Sequence, residues 1–206
     1  MTFIVGIDGK GASGKSTLAE KLRAAMPGAA LVCMDYFCYP PSGRKDEWWG
    51  PGVEGFGFDW KRLRDQVLVP YSQGRADIEY DSLNWDTFKL EKKSLPKTPF
   101  LIVEGMTALR RELREFYGFT IWVDSDDKKR LERVKKRDGA EMLPHWEREF
   151  IPLGEAYVED HYPPDIARVL FRALTASDAG AEALIDRVCA VARETNPRAK
   201  QGSIHA

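Results

Sequence analysis

The stretch GKGASGKST at residues 9–17 constrains the fold of this chain more than any other part of its sequence. It follows an apolar run, FIVGID, and has glycine, glycine, lysine and serine at every fixed position of the pattern G-x-x-x-x-G-K-[ST]. Glycines let the backbone curl until successive N–H groups point at an anion, and the helix that follows adds its positive N-terminal end. An accidental glycine turn is the alternative, but the order of strand, loop and helix favours a phosphate-binding P-loop.

The residues of this loop predict how a nucleotide would be held. Lys15 can reach the β- and γ-phosphates, and the Ser16 hydroxyl can join the coordination shell of Mg²⁺. The residues predicted to bind the nucleotide are Gly9, Gly11, Ala12, Ser13, Gly14, Lys15, Ser16 and Thr17. A P-loop alone does not distinguish a kinase from a switch or a motor, so that choice depends on the rest of the sequence.

Apolar runs of strand length alternate with helical patterns along the chain. The predicted strands, buried on both faces of a parallel sheet, lie at residues 3–7, 30–34, 100–103, 119–123 and, more weakly, 166–170. The predicted helices lie at residues 16–26, 60–67, 107–116, 127–137, 146–158 and 179–193. This alternation predicts an α/β fold of the P-loop NTPase type, with three layers, a central parallel sheet and a small lid or hairpin region.

Two stretches depart from this alternation. Residues 36–58 are too long for a simple connection, and loops of that length are more often functional than idle. Residues 80–95 carry a short, mixed pattern that is compatible with a hairpin projecting from the sheet. We expect a single domain over residues 1–195 with a lid-like region at about 138–146, and a flexible tail at residues 196–206.

The composition argues against several classes of protein. A formal net charge of −1 lacks the broad basic excess of a nucleic-acid binder, and no apolar run approaches membrane-spanning length. The cysteines, Cys33, Cys38 and Cys189, form no CxxC pair, and the histidines show no metal-ligand spacing. We therefore expect a reduced, cytoplasmic protein whose partner is a small molecule rather than a nucleic acid or a membrane. Assembly into a homo-oligomer stays open.

Two acidic residues follow predicted strands, at the edge of the sheet where ligands bind. Asp35, after the strand at 30–34, can accept the proton of a hydroxyl group while a phosphoryl group is transferred. Glu104, after the strand at 100–103, stands where an acidic residue can support Mg²⁺ or orient the site. A turn-capping aspartate and a solvated glutamate are the alternatives, and the neighbouring P-loop favours the functional interpretation of both.

A basic helix predicted at residues 127–137 is the third such feature. Arg130, Arg133 and Arg137 lie at i, i+3 and i+7, so a helix would place all three on one face. Such a row beside a triphosphate can neutralise the charge of the transferred group. A solvated charged face is the alternative, and we prefer it for the lysines of this segment.

Aromatic residues are concentrated between residues 36 and 60, too densely for a passive linker. They are Tyr36, Phe37, Tyr39, Trp48, Trp49, Phe56, Phe58 and Trp60. One or two of them could stack on a planar acceptor such as a nucleobase, while a local packing cluster is the expected fate of most.

Taken in order, these features resemble the uridine kinase-like family of P-loop kinases, which includes phosphoribulokinase and relatives of pantothenate kinase. The similar segments, spread over about residues 3–170, are GKGASGKST, MDYF, FGFDW, IEYD, LIVEGMTAL, RLERVKKRD and FIPLGEAYVEDHYPPDIARVL. The resemblance implies a kinase that uses ATP and Mg²⁺, with Asp35 as the catalytic base. It also implies that Tyr80 lies near a nucleobase and that Asp59 remains from the segment that contacts the ribose.

These observations together predict transfer of the γ-phosphoryl group to a hydroxyl group. The predicted catalytic residues are Asp35, Lys15, Arg133 and Arg137. The predicted substrate contacts are Asp35, Tyr80, Asp59, Glu104 and Arg130. The predicted ligands of Mg²⁺ are Ser16 and Glu104.

The chain departs from the family after the lid-entry arginines, where RDGAEMLPHW lacks a further arginine pair. A nucleoside is the expected acceptor, ahead of pantothenate-like or sugar alcohols. A module that binds or slowly hydrolyses nucleotide is an alternative, opposed by the lack of a guanine-selecting N-K-x-D segment. A nucleotide-binding protein without catalysis is another, opposed by the presence of Lys15, Ser16 and Asp35.

Overall fold

A computed structural model describes residues 2–40, 54–172 and 178–195 of the chain. Its strands are β1 (Phe3–Asp8), β2 (Ala30–Cys33), β3 (Ile78–Asn84), β4 (Lys89–Leu95), β5 (Phe100–Glu104), β6 (Phe119–Asp124) and β7 (Val169–Arg172). Five of them form a parallel sheet in the order β2-β5-β1-β6-β7, and β3 and β4 form a separate antiparallel hairpin.

Helices connect these strands. The α-helices are α1 (Lys15–Ala25), α2 (Trp60–Leu63), α3 (Val69–Ser72), α4 (Asp127–Asp138), α5 (Leu143–His145), α6 (Ile151–His161), α7 (Pro163–Ile166) and α8 (Asp178–Thr195). Two π-helical turns, Arg64–Leu68 and Trp146–Phe150, join α2 to α3 and α5 to α6. Short 3₁₀ helices lie at Met34–Phe37, Glu54–Gly57, Arg111–Phe116 and Ala140–Met142.

The apolar side chains of the sheet are buried on both of its faces, as a parallel sheet between two layers requires. In β1, Ile4 belongs to the core on one face, whereas Val5 and Ile7 belong to the core on the other. The first core takes in the hairpin and α2, and the second takes in α1 and α8. The predicted α/β fold with a central parallel sheet is therefore confirmed.

The hairpin predicted at residues 80–95 is formed by β3 and β4 and packs beside the 3₁₀ helix that follows β2. Phe37 of that 3₁₀ helix stacks on Tyr80 of β3, with ring centroids 5.5 Å apart. Trp85 and Phe88 at the hairpin tip are exposed and meet edge to face. The stacked pair joins the hairpin to the short helix that also carries Asp35.

The prediction of a helix at residues 107–116 was wrong over its first half. A 3₁₀ helix occupies Arg111–Phe116, while Thr107 has a positive φ of 74°, which a β-branched residue rarely adopts. The N–H group of Leu109 donates to the carboxylate of Asp8 over 2.8 Å and is therefore not available to a helix. A long-range hydrogen bond thus overrides the local pattern.

The last predicted strand, at residues 166–170, begins three residues later than predicted, as Val169–Arg172. The preceding Pro163–Ile166 forms a short helix with proline in its first turn, where the missing N–H group has no cost. The strand can begin only after this helix has ended, so its first residue lies closer to the C-terminus than predicted.

Some predictions fall outside the described residues. They concern Trp48 and Trp49, most of the glycines of the long loop, and the tail at residues 196–206. The limits of the domain and of the lid-like region stay predictions. Across residues 2–40, 54–172 and 178–195, no helix is both long and apolar enough to span a membrane.

Candidate functional site

The glycine-rich loop lies at the carboxyl end of β1 in a conformation that requires glycine at two positions. Gly9 has a φ of +154°, and a Cβ atom there would lie 2.3 Å from the carbonyl oxygen of Val123 in β6. Gly14 has a φ of +107° and is the N-cap of α1. The start of the loop therefore lies too close to β6 for any side chain at Gly9.

Lys15 and Ser16 begin α1, as the motif predicts. Lys15 is only 8% exposed, and its Nζ donates a 3.0 Å hydrogen bond back to the carbonyl group of Lys10. The hydroxyl of Ser16 donates to the carboxylate of Glu104, whose two oxygens both lie 3.3 Å away. Thr17, the next residue, is exposed. The lysine thus folds over the loop, and the serine faces an acidic group from the neighbouring strand.

Glu104 ends β5 and is buried, with 4% of its surface exposed. Burial raises the pKa of this carboxyl group, while the thiol of Cys33, which donates to it, and the charge of Lys15 oppose the rise. Cys33 ends β2 and pairs directly with Glu104 across the sheet. The carboxylate is thereby fixed between β2 and α1, where its oxygens are of the kind that Mg²⁺ prefers.

Asp35 is the second residue of the 3₁₀ helix Met34–Phe37, directly after β2. Its side chain is open to solvent on one side, yet the surrounding protein raises its pKa by desolvation. The charges of Lys15 and Arg137 lower that pKa, so both cations lie near enough to act on this carboxylate. A carboxylate with a raised pKa that also experiences the charges of two cations suits a proton acceptor in a reaction that builds up negative charge.

The first two arginines of the predicted row contact the P-loop from behind. Arg130 donates from Nε to the carbonyl group of Gly11 over 2.8 Å. Arg133 donates from Nη1 to the carbonyl groups of Ala12 and Ser13, each over 3.0 Å. These carbonyl groups therefore point outward to α4, which supports the loop from that side. Contact of either arginine with a substrate phosphate stays a prediction.

Arg137 lies in a different environment. Its guanidinium group pairs with Asp138, at 2.6 and 2.7 Å, and lies 5.7 Å from the ring centroid of Trp146. Trp146 packs on the loop so closely that a Cβ atom at Gly11 would lie 2.6 Å from its ring. Arg137, which also acts on Asp35, therefore lies in the last turn of α4, beside the tryptophan that packs on the loop.

Tyr80 and Asp59, two of the predicted substrate contacts, interact with other residues of the protein. Tyr80 is buried beneath Phe37 and has 4% of its surface exposed. Asp59 is the N-cap of α2, and its carboxylate accepts a 3.0 Å hydrogen bond from the backbone N–H group of Arg62. The buried guanidinium group of Arg62 in turn donates to the carbonyl group of Cys38 over 2.9 Å. Contact of Tyr80 with a nucleobase, or of Asp59 with a ribose, stays a prediction.

Asp8, the last residue of β1, was missed in reading the sequence for site residues. It is fully buried, and its carboxylate accepts hydrogen bonds from the N–H groups of Gly9 and Leu109. It also accepts a 2.5 Å hydrogen bond from the hydroxyl of Tyr157 in α6. Burial raises its pKa to about 6, against these hydrogen bonds and the charge of Lys15. The signal in the sequence was a charged residue that ends an apolar strand directly before the P-loop.

The arrangement defines a class of protein. A buried strand, a glycine loop and the N-terminus of a helix meet at the carboxyl edge of a parallel sheet, with lysine and serine where the helix begins. This is the phosphate-binding site of P-loop proteins. Comparison with known proteins narrows the class further.

The chain is similar to curated kinases over part of their length. It is 30% identical over 148 residues to uridine-cytidine kinase B of Dictyostelium discoideum, covering 68% of this chain and 59% of that protein. It is 29% identical over 148 residues to the pantothenate kinase of Brucella ovis, covering 60% of this chain and 45% of that protein. The chain therefore spans less than two thirds of either relative. No family model matches it.

The fold also has solved counterparts. A protein from Bacillus stearothermophilus described as a possible uridine kinase superimposes with a TM-score of 0.62 and 19% identity, covering 82% of this chain and 88% of that one. At this identity the likeness concerns the fold alone. With the kinase relatives, the shared fold and the P-loop, the chain belongs to the uridine kinase-like family of P-loop kinases.

Proposed function

We propose that this chain is an ATP-dependent small-molecule kinase that transfers the γ-phosphoryl group to a hydroxyl group of its acceptor. The observation that carries the proposal is the environment of Asp35, whose carboxylate experiences the charges of Lys15 and Arg137 at the ligand-binding edge of the sheet. The names of the relatives, a uridine-cytidine kinase and pantothenate kinases, support a phosphotransferase.

The residues of the site fit ATP and Mg²⁺. N–H groups of the loop and of the first turn of α1 would hold the phosphates, while Arg130 and Arg133 bind the loop's carbonyl groups from the side of α4. Ser16 and Glu104 would hold Mg²⁺, since a hydroxyl and a carboxylate that already face each other offer it hard oxygen ligands. When bound, the ion supplies positive charge that offsets the charge of the phosphates.

Asp35 would accept the proton of the acceptor hydroxyl as the oxygen of that group bonds to the γ-phosphorus and ADP leaves. Desolvation shifts the pKa of this carboxyl group toward neutral pH, and a general base is most effective when its pKa lies near the working pH. Lys15 and Arg137 would stabilise the negative charge on the transferred group, which is the main task of the protein in phosphoryl transfer. Apart from the proton transfer to Asp35, the proposed mechanism depends on positioning and electrostatics.

A nucleoside is the leading acceptor within this proposal, supported by the name of the Dictyostelium relative and by the segments around Asp35 and Tyr80. A pantothenate-like or sugar alcohol is the second candidate, and the pantothenate kinase relatives favour the former of these. A small molecule as the partner and a cytoplasmic location belong to the same proposal.

Release of ADP from Mg-ATP, measured over a panel of acceptors, tests the proposal. The panel holds uridine, cytidine, other nucleosides, pantothenate and several sugars. Asp35→Asn removes the base at constant size, and Asp186→Asn, an exposed aspartate on α8, is the matched control. We expect turnover with one class of acceptor, lowered about 100-fold or more by Asp35→Asn and unchanged by Asp186→Asn.

Two results would contradict the proposal in different ways. Slow hydrolysis that is indifferent to every acceptor and to Asp35→Asn would point to a nucleotide-binding or hydrolysing module. Acceptor-dependent turnover that Asp35→Asn leaves intact would keep the kinase but assign the base to another residue.

A further inference from the structure

The carboxylate of Asp8 joins three separate parts of the chain. Its Oδ1 accepts a 2.6 Å hydrogen bond from the N–H group of Gly9, which begins the P-loop. Its Oδ2 accepts from the N–H group of Leu109, over 2.8 Å, and from the hydroxyl of Tyr157, over 2.5 Å. Both oxygens are thus engaged, by the loop, by the turn after β5 and by α6.

The charged and titratable groups around this carboxylate come from several elements. Lys15 on α1 acts on Asp8 through its charge, and Asp8 in turn acts on Arg114 in the 3₁₀ helix Arg111–Phe116. Burial raises the pKa of Tyr117, and the nearby charge of Asp8 raises it further. Within the described part of the chain, however, the buried hydroxyl of Tyr117 has no hydrogen-bond partner. Tyr157 is therefore bonded to Asp8, and Tyr117 is only near it.

The position of Gly9 is fixed from two sides. On one side, the carbonyl group of Val123 leaves no room even for a Cβ atom. On the other side, the Gly9 N–H group is held by a fully buried carboxylate, and hydrogen bonds to ionised acceptors are about twice as strong as neutral ones. Any shift of Asp8 would therefore shift the first residue of the phosphate-binding loop.

We propose that Asp8 is a positioning residue of the P-loop, which holds Gly9 in register with the turn after β5 and with α6. In consequence, the hydroxyl of Tyr157 helps to set the affinity of the loop for the phosphates of a nucleotide. This consequence rests on the proposed function, whereas the positioning itself concerns the protein without nucleotide.

The test uses two tyrosines that differ in their bond to Asp8. Tyr157→Phe removes one donor and leaves the charge and both backbone hydrogen bonds, while Tyr117→Phe removes a nearby hydroxyl that has no bond to Asp8. Amide exchange at Gly9 and Leu109 is followed by NMR without nucleotide, and the dissociation constant of ATP is measured by calorimetry. Tyr157→Phe should speed exchange at both amides and weaken ATP binding about threefold to tenfold. Tyr117→Phe should do neither.

A second variant and a kinetic readout separate positioning from general loosening. Asp8→Asn offers one acceptor oxygen in place of two, so amide exchange at Gly9 or Leu109 should rise. Once the panel has identified an acceptor, steady-state kinetics can be measured. We expect Tyr157→Phe to raise the KM for ATP and to leave the KM for the acceptor unchanged.

Exchange at both amides that neither Tyr157→Phe nor Asp8→Asn alters would overturn the proposal, as would equal effects of the two tyrosine variants. Failure of the wild-type protein to bind ATP would instead refute the proposed function. The exchange experiment would then still decide whether Asp8 positions the loop.

Discussion

Two aspartates at the carboxyl edge of the sheet differ in how much of their hydrogen-bond acceptor capacity is available to a substrate. Desolvation by the surrounding protein is the largest cause of the raised pKa of both Asp8 and Asp35. Asp8 is enclosed and accepts hydrogen bonds from three protein donors, whereas the side chain of Asp35 is open to solvent on one side. Asp35 therefore keeps acceptor capacity for a substrate hydroxyl, and Asp8 serves the protein itself.

The ionisation of Asp8 predicts how stability depends on pH. Its pKa rises from 3.8 to about 6 on folding, so the native state holds this proton more tightly than the unfolded state does. The resulting stabilisation is fully present below pH about 3.8, falls as pH rises toward 6, and is lost above it, an effect of roughly 3 kcal/mol. This contribution is measured as the difference in the free energy of unfolding between wild type and Asp8→Asn, obtained by denaturant unfolding from pH 4 to 8.

We expect the free energy of unfolding of wild type, relative to Asp8→Asn, to decrease up to pH about 6 and then to stay constant. The same difference in the free energy of unfolding, taken between wild type and Asp186→Asn, should not fall in this way, because this substitution alters an exposed aspartate on α8. A difference that is flat from pH 4 to 8, or that grows with pH, would mean that the pKa of Asp8 is not raised.

The P-loop residues could be predicted from the sequence because the conformation of the loop and the start of the helix are specified by adjacent residues of one motif. Lys15 and Ser16 begin α1 because the motif itself specifies the loop and the helix start. Asp8 could not be placed in this way, because its partners Leu109 and Tyr157 lie 101 and 149 residues away along the chain. A local pattern carries no information on such pairs.

At the scale of elements, α4 acts as a support for the P-loop. The spacing of its arginines predicted a common face, and Arg130 and Arg133 do share the task of binding loop carbonyl groups. Their target could not be read from the sequence, because the guanidinium group of arginine can donate to carbonyl oxygens as well as to phosphate oxygens. The same limit applies to residues 107–116. Their sequence pattern predicts a helix, but the N–H group of Leu109 instead donates a hydrogen bond to the distant carboxylate of Asp8.

Removal of Arg133 should loosen the P-loop. Arg133→Met deletes hydrogen bonds to the carbonyl groups of Ala12 and Ser13 and one of 2.9 Å to the hydroxyl of Ser125. We expect a fall of about 1–3 kcal/mol in the free energy of unfolding, together with a higher KM for ATP. Denaturant unfolding and steady-state kinetics measure the two effects.

Lys136→Met, which changes an exposed cation on the same helix, is the matched control for this substitution. It removes the same charge without touching the loop, so it should leave both quantities near their wild-type values. Equal effects of the two substitutions would show that the net charge of α4, rather than the bonds of Arg133, governs the loop.

At the scale of the whole molecule, the site is assembled from elements that the sheet brings to one edge. β1 supplies the loop, β2 leads to Asp35, β5 ends in Glu104, and the last turn of α4 supplies Arg137. The order β2-β5-β1 places the strand of Glu104 between the other two, so the acid can face both the loop and Asp35. Alternating strands and helices predicted this edge, since parallel strands all end on the same side. They could not predict the acceptor, whose recognition depends on side chains from distant segments.

A ligand that binds this edge should stabilise the entire domain, because the edge contacts both cores of the protein through β1. At a free concentration 100 times its dissociation constant, Mg-ATP would add about 2.7 kcal/mol, which for a chain of this size raises Tm by roughly 5–10 °C. Lys15→Met should abolish most of this shift, since it removes the lysine of the P-loop motif that is expected to reach the β- and γ-phosphates. Lys21→Met, on the exposed side of α1, should retain it. Calorimetric Tm values with and without Mg-ATP decide the matter: a shift that survives Lys15→Met would place nucleotide binding away from the P-loop.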